Sequence, residues 1–210
     1  MTEEIKSNQF IQITPAGAFF ATVCPEPDSA RAFLLQLLSA DVPIPYTPLL
    51  ISKLTGLSKE EAEAMFQKLL DRGFAELKPT PPEMINDNLE SVLPTLLPDL
   101  SSAGKVVLAD DLGFCLASSG YEESHSEELA ALAADISSLH GRHNSLLNGD
   151  LSLMGESWGL LDPVGLSQVG FWMLYLGKQR FVLVIEKMPR LNQQVYVDLL
   201  SILARRYLNY

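Results

Sequence analysis

Three histidines are the residues of this 210-residue sequence that could ligate a metal ion. His140 and His143 are three positions apart and can share one helix face, whereas His125 lies a long helix away. A zinc site needs a third or fourth ligand that converges with them, usually Cys, His or a carboxylate, and none is spaced to do so. We therefore predict no metal site, and a helix-end or solvent role for these histidines, because cations are favoured near helix C-termini.

Adjacent carboxylates and glycine-rich stretches are the other candidates for chemistry. Asp110 and Asp111 stand before Leu-Gly, a setting typical of turn formers rather than of an acid–base pair. The stretch Gly165–Gly170 lacks the Lys-Ser/Thr pair of a phosphate loop, and Gly177-Lys178 follows no suitable glycine spacing, so we expect these glycines to form turns. No Gly-x-Ser-x-Gly elbow is present. The sequence predicts a protein that is not an enzyme and has no cofactor.

Charge and cysteine content narrow the class of partner. The net charge of −11 disfavours nucleic acid and anionic membrane surfaces, which attract basic proteins. Cys24 and Cys115 are far apart, and we expect Cys115 to be a buried free thiol. The polar segment Met1–Lys6 lacks the features of a signal peptide, and the apolar stretch Val169–Leu176 is too short to cross a bilayer. We therefore expect a cytoplasmic protein with protein partners or small ligands.

The N-terminal third of the sequence alternates helix and strand signals. Thr47-Pro48 and the capping box Ser58–Glu61 are strong helix starts, and Gly56 and Gly73 are stops. The predicted elements are strands at Gln9–Ile13 and Ala18–Val23, helices at 29–40, 47–56 and 58–73, and a strand at Phe74–Leu77. Three helices with a tight turn between the last two, followed by a strand, resemble a winged helix over residues 8–77.

The exposed side of the helix that begins at Ser58 indicates what a winged-helix-like segment would bind. A DNA-reading helix presents Lys, Arg, Asn or Gln to the groove. Here the exposed positions are rich in glutamate, which repels phosphate. We predict that this helix docks a protein partner, through the candidate residues Glu60, Glu63, Gln67 and Lys68.

A Pro-rich spacer at residues 78–83 divides the chain, because such spacers are extended and cannot continue a helix. The predicted domains are 1–77 and 84–210. The second should contain a helix at Met84–Leu93, a hairpin that turns at Asp110–Gly113, and a long helix at Ser126–Leu147. Three strands follow, at Ser157–Leu161, Val169–Leu176 and Arg180–Glu186, and the last helix runs from Asn192 to Leu208.

This order of elements resembles the roadblock family of dynein light chains. The matching residues are Val106–Gly120, with an Asp-x-x-Gly turn, and the Ala-rich helix segment Glu128–Ala134. The resemblance covers residues 84–210 and implies an α/β (α+β) fold with a five-stranded, largely antiparallel sheet. It also implies a dimer without catalytic residues that acts as a scaffold or as a regulator of small Ras-like GTPases.

Two apolar strands and a long helix with small residues support self-association. Exposed strand edges and apolar patches invite pairing, and alanines let another element approach closely. A two-fold dimer could pair the strand Ser157–Leu161 with its mate or pack the two long helices together. The candidate interface residues are Ala130, Ala134, Ser157, Trp158, Leu160 and Leu161.

We thus interpret the sequence as a regulatory or scaffold protein that forms a homodimer and binds a protein such as a small GTPase. The alternative is a transcription regulator that binds DNA through its winged-helix-like segment and uses the C-terminal domain to dimerise or to sense a ligand. The glutamates on the helix that begins at Ser58 favour the first interpretation.

Overall fold

The computed structural model describes residues 9–25, 28–85, 87–153 and 155–208. The N-terminal part consists of β1 (Phe10–Ile13), α1 (Pro15–Thr22), α2 (Ser29–Leu38), α3 (Pro48–Thr55), α4 (Lys59–Asp71) and β2 (Ala75–Lys78). The C-terminal part consists of α5 (Leu89–Leu96), β3 (Val106–Asp110), β4 (Cys115–Ser119), α6 (Glu123–Arg142), β5 (Ser157–Leu161), β6 (Ser167–Leu176), β7 (Gln179–Glu186) and α7 (Gln194–Tyr207). The segment Met1–Lys6, on which the absence of a signal peptide was predicted, lies outside the described residues.

The C-terminal part is built on a five-stranded antiparallel sheet in the order β4-β3-β7-β6-β5. Side chains alternate between its two faces, as the period of a strand requires. Leu183 and its neighbours at every second position pack toward α5 and α7, whereas Val182 and Val184 pack toward α6. The roadblock-like order of helix, two strands, helix, three strands and helix is confirmed, as is the mixed α/β fold class.

The strand predicted at Ala18–Val23 is wrong, because this segment belongs to α1. The Thr14 hydroxyl caps the helix by accepting from the Gly17 amide at 3.1 Å, and Pro15 occupies the first helical turn, where its missing N–H costs nothing. Gly17 is required for packing, since a Cβ built on it would lie 1.9 Å from the Phe74 carbonyl oxygen. The apolar run is therefore a buried helix.

The predicted starts of the next helices are confirmed. Thr47 caps α3, which ends at Gly56 with φ +70°, and the Ser58 hydroxyl accepts from the Glu61 amide at 3.3 Å. The Glu61 carboxylate in turn accepts a hydrogen bond from the Ser58 amide at 3.1 Å, which completes the capping box. β1 and β2 pair as a two-stranded antiparallel sheet beside these helices. Whether the four helices act as a winged helix stays a prediction.

The helix predicted at Met84–Leu93 begins later, at Leu89, and continues past Pro94 into a 3₁₀ turn at Leu97–Leu100. Pro94 removes one backbone donor, which disfavours the helix. Burial of Leu93, Leu97 and Leu100 against the sheet compensates for that loss. Asn86 of the predicted helix lies outside the described residues.

The N-terminal helices share a hydrophobic core with the C-terminal part. α1 and α2 pack on α7, so that Ala18, Phe33, Leu34 and Leu200 belong to one contiguous buried cluster. The Gln12 side chain also reaches Gln194 at the start of α7. The division at residues 78–83 stays a prediction, and the covered face of the sheet depends on both sides of it. Within the described ranges, no helix is long and apolar enough to cross a membrane.

Candidate interaction surface

Within the residues that the structure describes, β5 is a free edge of the sheet, since it pairs with β6 on one side only. Its side chains face solvent to a large extent, with Leu160 52% and Leu161 64% exposed. An edge strand offers unpaired N–H and C=O groups, and apolar side chains beside them favour addition of another strand. The predicted residues Ser157, Trp158, Leu160 and Leu161 therefore lie together on an accessible edge.

A glycine pair fixes how β5 lies on β6. Gly159 pairs with Gly170, and the Trp172 ring folds over Gly170 on the same strand. A Cβ on Gly170 would lie 2.2 Å from Trp172 Cη2, so the close approach of the indole requires glycine. The prediction that Gly170 forms a turn is thus wrong. Gly165, by contrast, lies in a turn with φ +86°.

The turn between β5 and β6 extends the apolar edge. Asp162 Oδ1 accepts from the amides of Val164 at 3.0 Å and Leu166 at 2.9 Å, and both of these apolar side chains are exposed. The predicted turn at Asp110 is built in the same way, with Oδ1 accepting from Leu112 and Phe114. Asp110 is therefore confirmed as a turn former, a role that the side chain of Asp performs by bonding to its own backbone.

Small residues line the buried side of α6. The side chains turned toward the sheet are Ser126, Ala130, Ala133, Ser137 and His140. On the flank toward β4, a Cβ on Gly113 would lie 3.1 Å from Ala134 Cβ and 3.2 Å from Ala131 Cα. The small side chains of Ala131 and Ala134 thus let the β3–β4 turn of the same chain pack closely against α6. Ala130 is 0% exposed and so is not accessible for the predicted interface, whereas Ala134 is half-buried beside that turn and its interface role stays a prediction.

The opposite flank of α6 faces the uncovered part of the sheet. Leu129 and Ile136 pack on the same cluster as Trp158 and Val169. Leu132, 40% exposed, and Leu139, half-buried, continue this line at helical spacing. The sequence shows Leu129, Leu132 and Ile136 on one face of a 3.6-residue repeat, and Leu139 is the residue that the structure adds to this stripe.

Exposed apolar residues are frequent in the segment of the chain that contains this edge. Of the fourteen large apolar side chains recorded as exposed among the described residues, eight lie between positions 132 and 166. They are Leu132, Leu146, Leu151, Leu153, Leu160, Leu161, Val164 and Leu166. We call the flank of α6 at Leu132 and Leu139, β5, and the turn at Val164 and Leu166 the edge surface. Its apolar character indicates association rather than chemistry.

A polar chain lies behind the edge surface. Trp158 Nε1 donates to His140 Nδ1 at 3.1 Å, and His140 Nε2 lies 3.9 Å from Glu156 Oε1. The Tyr175 hydroxyl donates to Glu156 Oε2. Burial, followed by the hydrogen bond to Glu156, raises the pKa of Tyr175 above its ordinary value. This chain fixes Trp158 on the edge strand to the end of α6.

His140 lies in the last turn of α6, in keeping with the predicted helix-end role, and its side chain is buried. His143 is exposed next to the C-terminus of α6, as predicted. Within the part of the chain that the structure describes, no group of three His, Cys, Asp or Glu side chains is placed to hold a metal ion. Cys115 is half-buried rather than fully buried, and burial, followed by the charge of Glu127, raises its thiol pKa.

The predicted docking residues on α4 are all exposed. Glu60, Glu63 and Gln67 follow one another at helical spacing, with Lys68 beside them. Gln67 donates to Asp71 at 2.8 Å, which adds a further carboxylate to this side. Hydrogen bonds from Ser58, its hydroxyl first and then its amide, lower the pKa of Glu61 and keep that carboxyl ionised. α4 therefore presents a mainly acidic surface.

Comparison with known proteins finds similarity of fold only. No family model and no curated protein matches the sequence. A solved roadblock/LC7 domain from Streptomyces avermitilis is 17% identical, with a TM-score of 0.41 over 59% of this chain and 100% of that chain. MglB from Myxococcus xanthus is 17% identical, with a TM-score of 0.39 over 58% of this chain and 96% of that chain.

Proposed function

We propose that this protein is a regulatory or scaffold protein, not an enzyme, that forms a two-fold dimer through the edge surface. The observation that carries the proposal is the concentration of exposed apolar side chains on a free strand edge and on the adjacent flank of α6. Pairing of β5 with its mate would satisfy the open backbone groups. Packing of the helix flanks would remove Leu132 and Leu160 from water.

The charges of α6 favour an antiparallel arrangement of the two helices. Its first half carries Glu123, Glu127 and Glu128, and its end carries Arg142 and His143. Antiparallel packing brings the acidic half of each helix to the basic end of the other, whereas parallel packing brings like charges together. Electrostatic complementarity of this kind fixes the register of an interface.

Apolar spacing is compatible with the same two-fold axis. If the helices cross between Asp135 and Ile136, Leu132 meets Leu139 of the partner subunit. The same crossing brings Glu128 to His143 of the partner subunit. A dimer of this type should bury at least about 1,200 Å² of surface, as specific complexes do.

The protein partner in this proposal is a small Ras-like GTPase, as the roadblock resemblance implies. The candidate docking surface is the exposed side of α4, at Glu60, Glu63, Gln67 and Lys68. Its acidic character fits a basic surface on the partner. The support for this step is the charge and exposure of α4.

Sedimentation equilibrium of the full chain tests the dimer. The full chain is used because α1 and α2 share the core of α7. We expect a dimer at micromolar concentration. Leu160→Asp should weaken the dimer by roughly a hundredfold, because burial of two leucines, each worth about 1.5 kcal/mol, is lost.

The matched control is Leu49→Asp, because Leu49 on α3 is 58% exposed and lies outside the edge surface. This variant should dimerise like the unchanged protein. A stable monomer of the unchanged chain across the micromolar range, or equal weakening by both substitutions, would contradict the proposal.

A further inference from the structure

A cleft of about 830 Å³ lies between the N-terminal helices and the segment that leads into β5. Its walls are apolar and include Phe19, Phe20, Val23, Phe74 and Leu191. Ligand sites are commonly clefts of about 300–1,000 Å³ with apolar walls and a few converging polar groups. The size and lining of this cleft therefore suit a small molecule with an apolar body.

The aromatic part of the cleft is held rigidly. The Phe20 and Phe74 rings stack with their centroids 4.6 Å apart and their planes at 17°. The guanidinium carbon of Arg31 lies 4.7 Å from the centre of the Phe20 ring, and Arg31 Nη1 lies 3.6 Å from Asp28 Oδ2. Because Asp28 balances its charge, Arg31 does not turn this part of the cleft into an anion site.

The charged group at the other end of the cleft is Glu156. Its side chain is 14% exposed, and one carboxylate oxygen accepts the Tyr175 hydroxyl. The other oxygen faces His140 Nε2 at 3.9 Å, beyond hydrogen-bond range. Arg180 interacts with Tyr175, and no ion pair between Arg180 and Glu156 is found among the described residues.

His140 does not neutralise this carboxylate. Its Nδ1 accepts from the Trp158 indole, so that nitrogen carries no proton, and an imidazole protonated on Nε2 alone is neutral. Burial of a carboxylate is costly unless it is paired with a cation or fully hydrogen-bonded. The cleft therefore has an apolar wall and one carboxylate, that of Glu156, for which no ion pair with Lys or Arg is found among the described residues.

We propose that this cleft binds a small amphiphile with an apolar body and a cationic ammonium head, with the head at Glu156. An ammonium donates hydrogen bonds to the carboxylate, and the body covers the Phe20–Phe74 stack. Asn144 and Asn148 stand near the head, with their side chains hydrogen-bonded to each other. The site does not depend on dimer formation.

Calorimetric titration of the full chain at neutral pH tests this site, with octylammonium as the probe. We expect saturable binding of one molecule per chain, with a dissociation constant of about 0.1 mM. Octanoate, which has a similar body and an opposite charge, should bind at least tenfold more weakly. Ethylammonium, a head with almost no body, should not bind measurably.

Two variants separate the body from the head. Ala16→Trp should abolish binding by filling the cleft, since Ala16 lines it and is exposed; Ala16→Ser is the matched control. Glu156→Gln should reduce octylammonium affinity about tenfold by removing the charge. Circular dichroism on heating checks that each variant folds. If Glu156→Gln does not fold, the site is tested by the preference for octylammonium over octanoate and by the Ala16→Trp variant.

Equal affinity for octanoate and octylammonium would overturn the proposal, as would unsaturable binding or full binding by a folded Ala16→Trp variant. Sedimentation of the same samples shows separately whether the dimer forms. Loss of the dimer with octylammonium binding retained would count against the proposed function and leave this site in place.

Discussion

The two faces of the central sheet are covered in different ways. One face packs under α5, α7 and the N-terminal helices, with large side chains such as Leu183 and Leu200. Among the described residues, the other face packs under a single helix, α6, whose buried stripe is made of alanine and serine and ends in His140. Large side chains fill a wide space between several elements, whereas small ones let a single helix approach closely. The first face is covered by helices of the same chain, whereas the β5 side of the second face is not covered by α6.

The largest loss of stability should come from a substitution on the face that α5, α7 and the N-terminal helices cover. Leu183→Ala on β7 should lower the free energy of unfolding by about 3 kcal/mol, because it removes a fully buried side chain and leaves a cavity. Urea unfolding measures this loss. The dimer dissociation constant should stay unchanged, because Leu183 points away from α6. A loss below about 1 kcal/mol would show that this face is loosely packed.

Enlarging the small stripe of α6 should give the next largest effect. Ala130→Leu should lower the free energy of unfolding by about 2 kcal/mol, since the added atoms push the helix from the sheet. Ser138→Leu is the control, because Ser138 is exposed on the same helix and away from the Gly113 turn. Urea unfolding should separate the two variants. Equal stability of both variants would show that Ala130 is not packed tightly between α6 and the sheet.

Much of this architecture follows from local sequence signals. The capping box at Ser58 and the Asp110 turn fix their backbone by hydrogen bonds a few residues apart, and both were predicted. The start of α1 had the same kind of signal as that of α3, since Thr14-Pro15 repeats Thr47-Pro48. The apolar run after it was misread as a strand, because length alone separates short buried strands from short buried helices.

Other features depend on how distant elements meet. Helical spacing alone cannot show that Ala134 faces the Gly113 turn, because the rotation of α6 on the sheet is set by tertiary packing. The pair of Trp158 and His140 joins an edge strand to a helix end, and no sequence motif marks it. The strand Ser157–Leu161 itself was predicted with the bounds that the structure shows.

A smaller effect should come from the contact that holds the edge strand to α6. Trp158→Phe keeps an aromatic ring and removes the donor to His140 Nδ1, at a cost of about 1 kcal/mol in unfolding free energy. Tyr46→Phe, on the N-terminal part, is the control for an aromatic substitution elsewhere in the chain. Thermal unfolding followed by circular dichroism measures the difference. An unchanged melting temperature in Trp158→Phe would show that the bond adds no stability.

The smallest expected effect is on DNA binding, which the alternative function requires. Mobility-shift titration with genomic fragments at low salt should show no specific complex, since the exposed side of α4 is mainly acidic. Lys68→Glu should therefore change nothing in this assay. A salt-sensitive, sequence-selective complex in the nanomolar range would replace the scaffold interpretation with that of a transcription regulator.

The pairing of β3 with β7 has a consequence for synthesis on the ribosome. Val106 pairs with Ile185 and Asp110 with Phe181, so the two strands are about 75 residues apart in the chain. At about 5–20 residues per second, β7 emerges roughly 4–15 s after β3. During this interval β3 lacks its neighbour β7 in the sheet. The unpaired apolar edge of β3 can then contact other nascent chains. The waiting time for β7 is therefore a period in which chaperones can act on this protein.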